Sequence, residues 1–75
     1  METVQHSIVL FYSMSGALQA EKLFKKSGIA IKLIPVPRQL SSDCGVCLRF
    51  ERADETQIKA TLEKERIDIQ GIYPV

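Results

Sequence analysis

Both cysteines of this 75-residue chain stand in "PVPRQLSSDCGVC", residues 35 to 47, behind two prolines, an arginine and two serines. Cys44 and Cys47 are three positions apart, a spacing that admits three kinds of chemistry. The first is a dithiol redox pair, which works where C-x-x-C opens a helix that follows a strand. Here a strand pattern follows instead. Extended residues three apart lie about 10 Å from one another at 3.3 Å per residue, beyond the roughly 7 Å Cα limit of a disulfide. A Cys44–Cys47 bond therefore requires Gly45 to turn the chain. The second is a metal site, but zinc takes four ligands, or three and a water. The chain offers two thiols and His6, so a site of four thiolates needs two subunits. The third makes Cys44 the working thiol of an electropositive loop, where the thiolate is the nucleophile. Ser41 and Ser42 then donate to the sulfur anion or its cargo, and Cys47 is a small half-buried strand residue. Beside these stands the plainer reading of Cys44 as a small loop residue and the serines as turn formers.

Composition narrows the classes. Seventy-five residues allow one small domain, spanning 1–75, that buries about 60% of the unfolded chain's surface. Hydrophobic content of 45% and charged content of 25% are those of an ordinary globular domain. Ten Lys+Arg against nine Asp+Glu give a net charge of +1, without the basic excess that neutralising phosphates requires, so nucleic acid is not an expected partner. The run "IVLFY" is far short of the roughly 20 apolar residues of a membrane span, and nothing basic precedes it as in a secretory signal. No membrane association and a cytoplasmic location are the expectations. Two cysteines so close in sequence cannot staple a disulfide scaffold.

The elements that must position the loop follow from pattern. "HSIVLFYS", 6 to 13, is apolar and β-prone. "SMSGALQAEKLFKKSG" supplies serines for an N-cap, puts Ala17, Ala20, Leu23 and Phe24 on one helical face opposite Gln19, Lys22 and Lys26, and ends at Gly28. "IAIKLIPVP", 29 to 37, resumes a strand that its prolines end or confine to an edge. Val46, Leu48 and Phe50 alternate with Cys47, Arg49 and Glu51, the period of a half-buried strand. Asp54 and Gln57 form a capping-box pattern before Ile58 and Leu62 of a second helix. Ile67, Ile69 and Gly71 alternate with Asp68, Gln70 and Ile72 in a fourth strand.

The order βαββαβ predicts an α+β, ferredoxin-like fold: a four-stranded antiparallel sheet with two helices on one face. In that topology "SMSG" and "PRQLSSDCG" leave the sheet at the same end. A helix N-terminus there, around Ser15 and Gly16, presents unsatisfied N–H groups that stabilise anions, and Arg38 adds charge. Met14 and Leu18 fall outside the helix's main apolar arc, and cover by the loop is expected for them. His6 reads as an ordinary strand-edge histidine, Lys22, Lys25 and Lys26 as a solvated face, and Tyr73 as cover for the sheet edge. No cofactor is indicated.

Pro35, Pro37, Arg38, Ser41, Ser42, Cys44 and Gly45 carry a further signal. The segment resembles the signature of the selenium/sulfur carrier-like family, small bacterial domains with a P-x-P-R loop, two serines and a Cys-Gly pair. The likeness extends to Ala17, Glu21 and Lys22, to "LRF" at 48–50 and to "GIY" at 71–73. It implies a persulfide or perselenide held on Cys44 and exchanged with donor and acceptor proteins. Arg38, Ser41, Ser42, Gly45, Ser15 and Gly16 would then form the site, at most that of a sulfurtransferase-like accessory protein. The family more often has a small residue where this chain has Cys47, which leaves two roles open: resolving the persulfide or packing. The alternatives are a non-catalytic binding module, for which pairing of two copies through sheet edges is one form, and a C-x-x-C redox switch.

Overall fold

The computed structural model of the chain describes residues 4–40 and 45–75. β1 (His6–Phe11) leads through α1 (Met14–Lys26) to β2 (Ile31–Pro35) and β3 (Val46–Glu51). A 3-10 turn (Arg52–Asp54), α2 (Glu55–Lys64) and β4 (Ile69–Pro74) complete the chain. The sheet runs β2-β3-β1-β4 with every neighbouring pair antiparallel. This is the ferredoxin-like βαββαβ arrangement that the element order predicts.

The main core lies between the sheet and its helices. Ala17, Ala20 and Phe24 of α1, with Ile58 and Leu62 of α2, pack on Val9, Phe11, Leu48 and Phe50. The odd-numbered residues of β1 and the even-numbered residues of β3 face this layer, as a period of two requires. The opposite face is not bare. Ile8, Leu10 and Cys47 form a second buried cluster against which Ile34, Val36 and Leu40 pack. The four central residues of β1 are therefore at most 2% exposed although helices cover only one side.

Local chemistry sets the element ends. Ser13, extended at φ −146°, caps α1 by accepting from the Gly16 N–H at 3.2 Å. At the other end Gly28 sits at φ +80°, its N–H donating to Lys25 O, while the Ile29 N–H reaches back to Phe24 O at 2.9 Å. That is a Schellman motif, and it takes Ile29 out of the strand expected over 29–37 and into the core. α2 ends in the same way, with Arg66 N–H donating to Glu63 O and Ile67 N–H to Leu62 O, but Arg66 holds the left-handed position at φ 56°.

Two expectations need correction. The capping box at Asp54 and Gln57 does not form: Asp54 ends the 3-10 turn at φ −92° and its carboxylate caps nothing. The extended backbone that an N-cap side chain needs is lost where one helical turn runs into the next. In β4 a register shift opposite Leu10 and Phe11 breaks the alternation, so Ile69 and Ile72 both join the helix side. Gly71 faces the other way and lies under the Tyr73 ring, where a Cβ would come within 2.9 Å of Tyr73 Oη.

Outside the core, Arg52 ties the start of β1 to the end of β3. Its guanidinium donates to Gln5 Oε1 at 2.8 Å, to His6 O at 3.3 Å and to the hydroxyl of Ser7 at 3.4 Å, a polar group only 2% exposed. A buried hydroxyl left without such a partner costs about 1–3 kcal/mol.

Arg66 yields a stability prediction. A left-handed residue with a Cβ costs roughly 1 kcal/mol against glycine at a helix end. Arg66→Gly is expected to raise stability by about 0.5–1 kcal/mol, or roughly 2–8 °C in Tm for a domain of this size. A lower Tm would mean that the arginine side chain contributes more than its backbone costs.

Candidate functional site

Strand register fixes which loops meet. Leu10 lies opposite Cys47, Phe11 opposite Ile69, and Pro35 opposite Val46. The β1–α1 turn, the β2–β3 loop and the α2–β4 turn consequently leave the sheet at one end, as expected for the first two. The N-terminus of α1 opens toward this end. Ser13 satisfies only the Gly16 N–H, and its hydroxyl lies 3.3 Å from that of Ser15. The Met14 and Ser15 N–H groups have no partner among the described residues, which leaves about half a positive charge at the helix mouth.

The β2–β3 loop begins in order. The Val36 N–H donates to Gly45 O at 3.2 Å, carrying the strand pairing one step past Pro35. Pro37 to Leu40 then form a turn closed by Leu40 N–H to Pro37 O at 3.0 Å. Arg38 occupies that turn and is exposed. Leu40 turns inward onto the Ile8, Leu10 and Cys47 cluster together with Val36, so the loop's first half is held by apolar contact beneath the sheet. Ser41, Ser42 and Cys44 lie outside the described residues. Gly45 returns the chain to β3 at φ +79°, and a Cβ there would meet nothing within 4 Å. Its requirement for glycine is the backbone angle and not crowding.

Cys47 is fully buried as the second residue of β3, flanked by Leu10 and Ile34 on the neighbouring strands. Its Sγ donates a weak hydrogen bond to Pro35 O at 3.9 Å. A buried thiol among apolar side chains packs as a small hydrophobe, and Cys47 does so here against Ile8 and Leu10. His6 lies at the far end of β1, four residues from Leu10 and so about 13 Å along the strand from Cys47's row. The two cannot share a metal within one chain. Met14 and Leu18 are 46% and 44% exposed and Tyr12 is 57% exposed, so the expected cover by the loop is not what α1 receives.

Sequence reasoning missed the apolar anchoring of the loop. The signal was present in "IVLF", four consecutive apolar residues where a strand with one wet face would alternate. It also missed an open concavity of about 750 Å³ at the same end, between α2 and β4, lined by Lys59, Leu62, Arg66 and Asp68 among others. Open helix N–H groups and an exposed guanidinium, each a group that binds anions, lie on loops that leave the sheet at the same end.

A family model described as "Putative Se/S carrier protein-like" matches residues 6–74, nearly the whole chain. No curated protein and no solved structure gives a significant match.

Two measurements check the geometry. Gly45→Ala is expected to destabilise the domain by about 1–2 kcal/mol in urea melts, the cost of forcing a Cβ into the left-handed region. In a Cys44→Ser background, Cys47 is expected to react with N-ethylmaleimide at least about 100-fold more slowly in the native protein than in denaturant, since reaction then waits on opening. Equal rates would contradict its burial.

Proposed function

Because the chain belongs to the Se/S carrier protein-like family, we propose that it carries sulfane sulfur or selenium on Cys44 and passes it to a partner protein. In loading, the Cys44 thiolate attacks the terminal sulfur of a donor's persulfide. The donor's S–S bond breaks, the donor leaves as a thiolate, and Cys44 becomes the persulfide. An acceptor thiolate reverses the exchange from the other side. No electron is gained or lost overall, so the cycle calls for no cofactor.

The observation that supports this reading is that the open end of α1 and the β2–β3 loop, which contains Cys44, leave the sheet at the same end. The charge that needs stabilising is a sulfur anion. In this reading the N–H groups around Ser15 and Gly16 and the guanidinium of Arg38 lower its energy, and Ser41 and Ser42 donate to it. Gly45 supplies the turn that returns the chain to β3. The proposed setting is the cytoplasm, where thiols stay reduced, with donor and acceptor proteins as partners. The redox-switch alternative is less well supported, because Cys47 is fully buried in β3 beside Ile8 and Leu10.

Intact mass after incubation with a cysteine desulfurase and cysteine tests the carrier reading, with a known acceptor loaded in parallel. The expected result is a one-sulfur adduct that disappears in Cys44→Ser and persists in Cys47→Ser. An adduct retained by Cys44→Ser sinks the assignment. Arg38→Ala provides a pH test. Removing the cation disfavours the thiolate, so the midpoint of Cys44 alkylation against pH is expected to move upward. An unmoved midpoint takes Arg38 out of the site.

A further inference from the structure

The two helices share one face of the sheet but present different outer surfaces. α2 carries Glu55, Lys59, Glu63 and Lys64, two acids and two bases, with a Glu55–Lys59 pair at 3.1 Å and no large apolar residue exposed. α1 carries Lys22, Lys25 and Lys26 against the single acid Glu21. Glu21 lies 3.7 Å from Lys25, so Lys22 and Lys26 have no carboxylate partner among the described residues. α1 also exposes Met14 and Leu18.

These residues are ordered. Met14, Leu18, Lys22 and Lys26 follow one another at intervals of four, so they form a single ridge about 18 Å long at 1.5 Å per residue. Its half near the β2–β3 loop is apolar and its far half is cationic. Tyr12 is exposed just before the helix, and beside the middle of the ridge lies an open concavity of about 400 Å³ lined by Leu18, Gln19, Glu21 and Lys22. A solvated helix face gains nothing from exposed Met and Leu, and a docking face gains both apolar area and orientation.

We propose that this ridge is the docking surface for the protein that loads the carrier, and that the donor meets it with an acidic surface bearing an apolar projection. The projection seats on Met14 and Leu18, and carboxylates about 6–12 Å away along the contact meet Lys22 and Lys26. The polarity of the ridge fixes which end of the donor faces the β2–β3 loop. The proposal rests on the carrier reading above and names the partner chemistry for it.

The test follows sulfur transfer to the full chain from two sources. One is a soluble extract of the source cells supplied with sulfur-labelled cysteine; the other is inorganic polysulfide, which needs no docking. Wild type is compared with Leu18→Ser and with Lys22→Glu/Lys26→Glu, all substitutions at exposed positions and checked for folding by circular dichroism. The expected result is a loading rate from extract that falls about 5-fold in Leu18→Ser and at least about 10-fold in the double variant. Loading from polysulfide is unchanged. Raising salt from about 50 to 300 mM is expected to slow extract loading of wild type several-fold and of the double variant hardly at all. Equal rates from extract for all three proteins overturn the proposal. So does loading of wild type by polysulfide alone, and so does an effect confined to discharge, which would place the acceptor on this face. Failure of wild type to load from either source overturns the carrier reading itself.

Discussion

The fold depends on one strand that must be dry on both sides. β1 sits in the interior of the sheet, and its "IVLF" run is buried on the helix face and on the opposite face alike. In most sheets of this kind the second face meets water, and its strands show polar residues there. Here Ile8 and Leu10 need cover, and Ile34, Val36 and Leu40 supply it. Burying one such side chain fully stabilises by about 1.5–3 kcal/mol, so the partial burial of Val36 and Leu40, with the cover they give Ile8 and Leu10, offsets part of the roughly 1–2 kcal/mol per residue that ordering the turn costs. The beginning of the β2–β3 loop is thus fixed by the needs of the core. Arg38 rides on that anchored turn.

For the proposed sulfur anion, general magnitudes rank the two kinds of group that could stabilise it. A helix N-terminus contributes about 0.3–1 kcal/mol at an exposed site, less than one pKa unit at 1.36 kcal/mol per unit. An ordinary thiol with a pKa near 8.5 would remain mostly protonated at neutral pH under that influence alone. A guanidinium about 4 Å away contributes roughly 1 kcal/mol in bulk water and about 4 kcal/mol near a protein surface. In the proposed site, a guanidinium at that distance would be the stronger lever, and the helix mouth would supply directed hydrogen bonds more than raw charge.

The element order, the four strands and both helices were legible because each core residue obeys its local period. Ala17, Ala20 and Phe24 on α1, and Val46, Leu48 and Phe50 on β3, could be assigned to a face without any tertiary knowledge. The same topology put the α1 N-terminus and the cysteine loop at one end. The failures have a common cause in contacts between elements. The β4 alternation misplaced Ile72 because a register shift depends on the partner strand. Asp54 lost its capping role because a 3-10 turn precedes α2, which no pattern in "RADETQ" announces. The fate of Met14 and Leu18 depended on where the loop goes, and Leu40 draws its first half to the other side of the sheet.

The same dependence on tertiary context applies to the spacing of the two cysteines. Spacing has chemical meaning only through the element that carries it: residues three apart nearly share a face on a helix, whereas a strand alternates faces at every residue. Gly45, at φ +79°, interrupts the chain between the two cysteines and starts β3 afresh, so the direction of Cys47 follows from strand pairing with Leu10 and Ile34. It points into the cluster beneath the loop, where a small apolar side chain completes the cover of β1. The same sulfur that reads as half of a redox pair in sequence is, by register, a core residue. Its environment is made by β1's need for a second dry face.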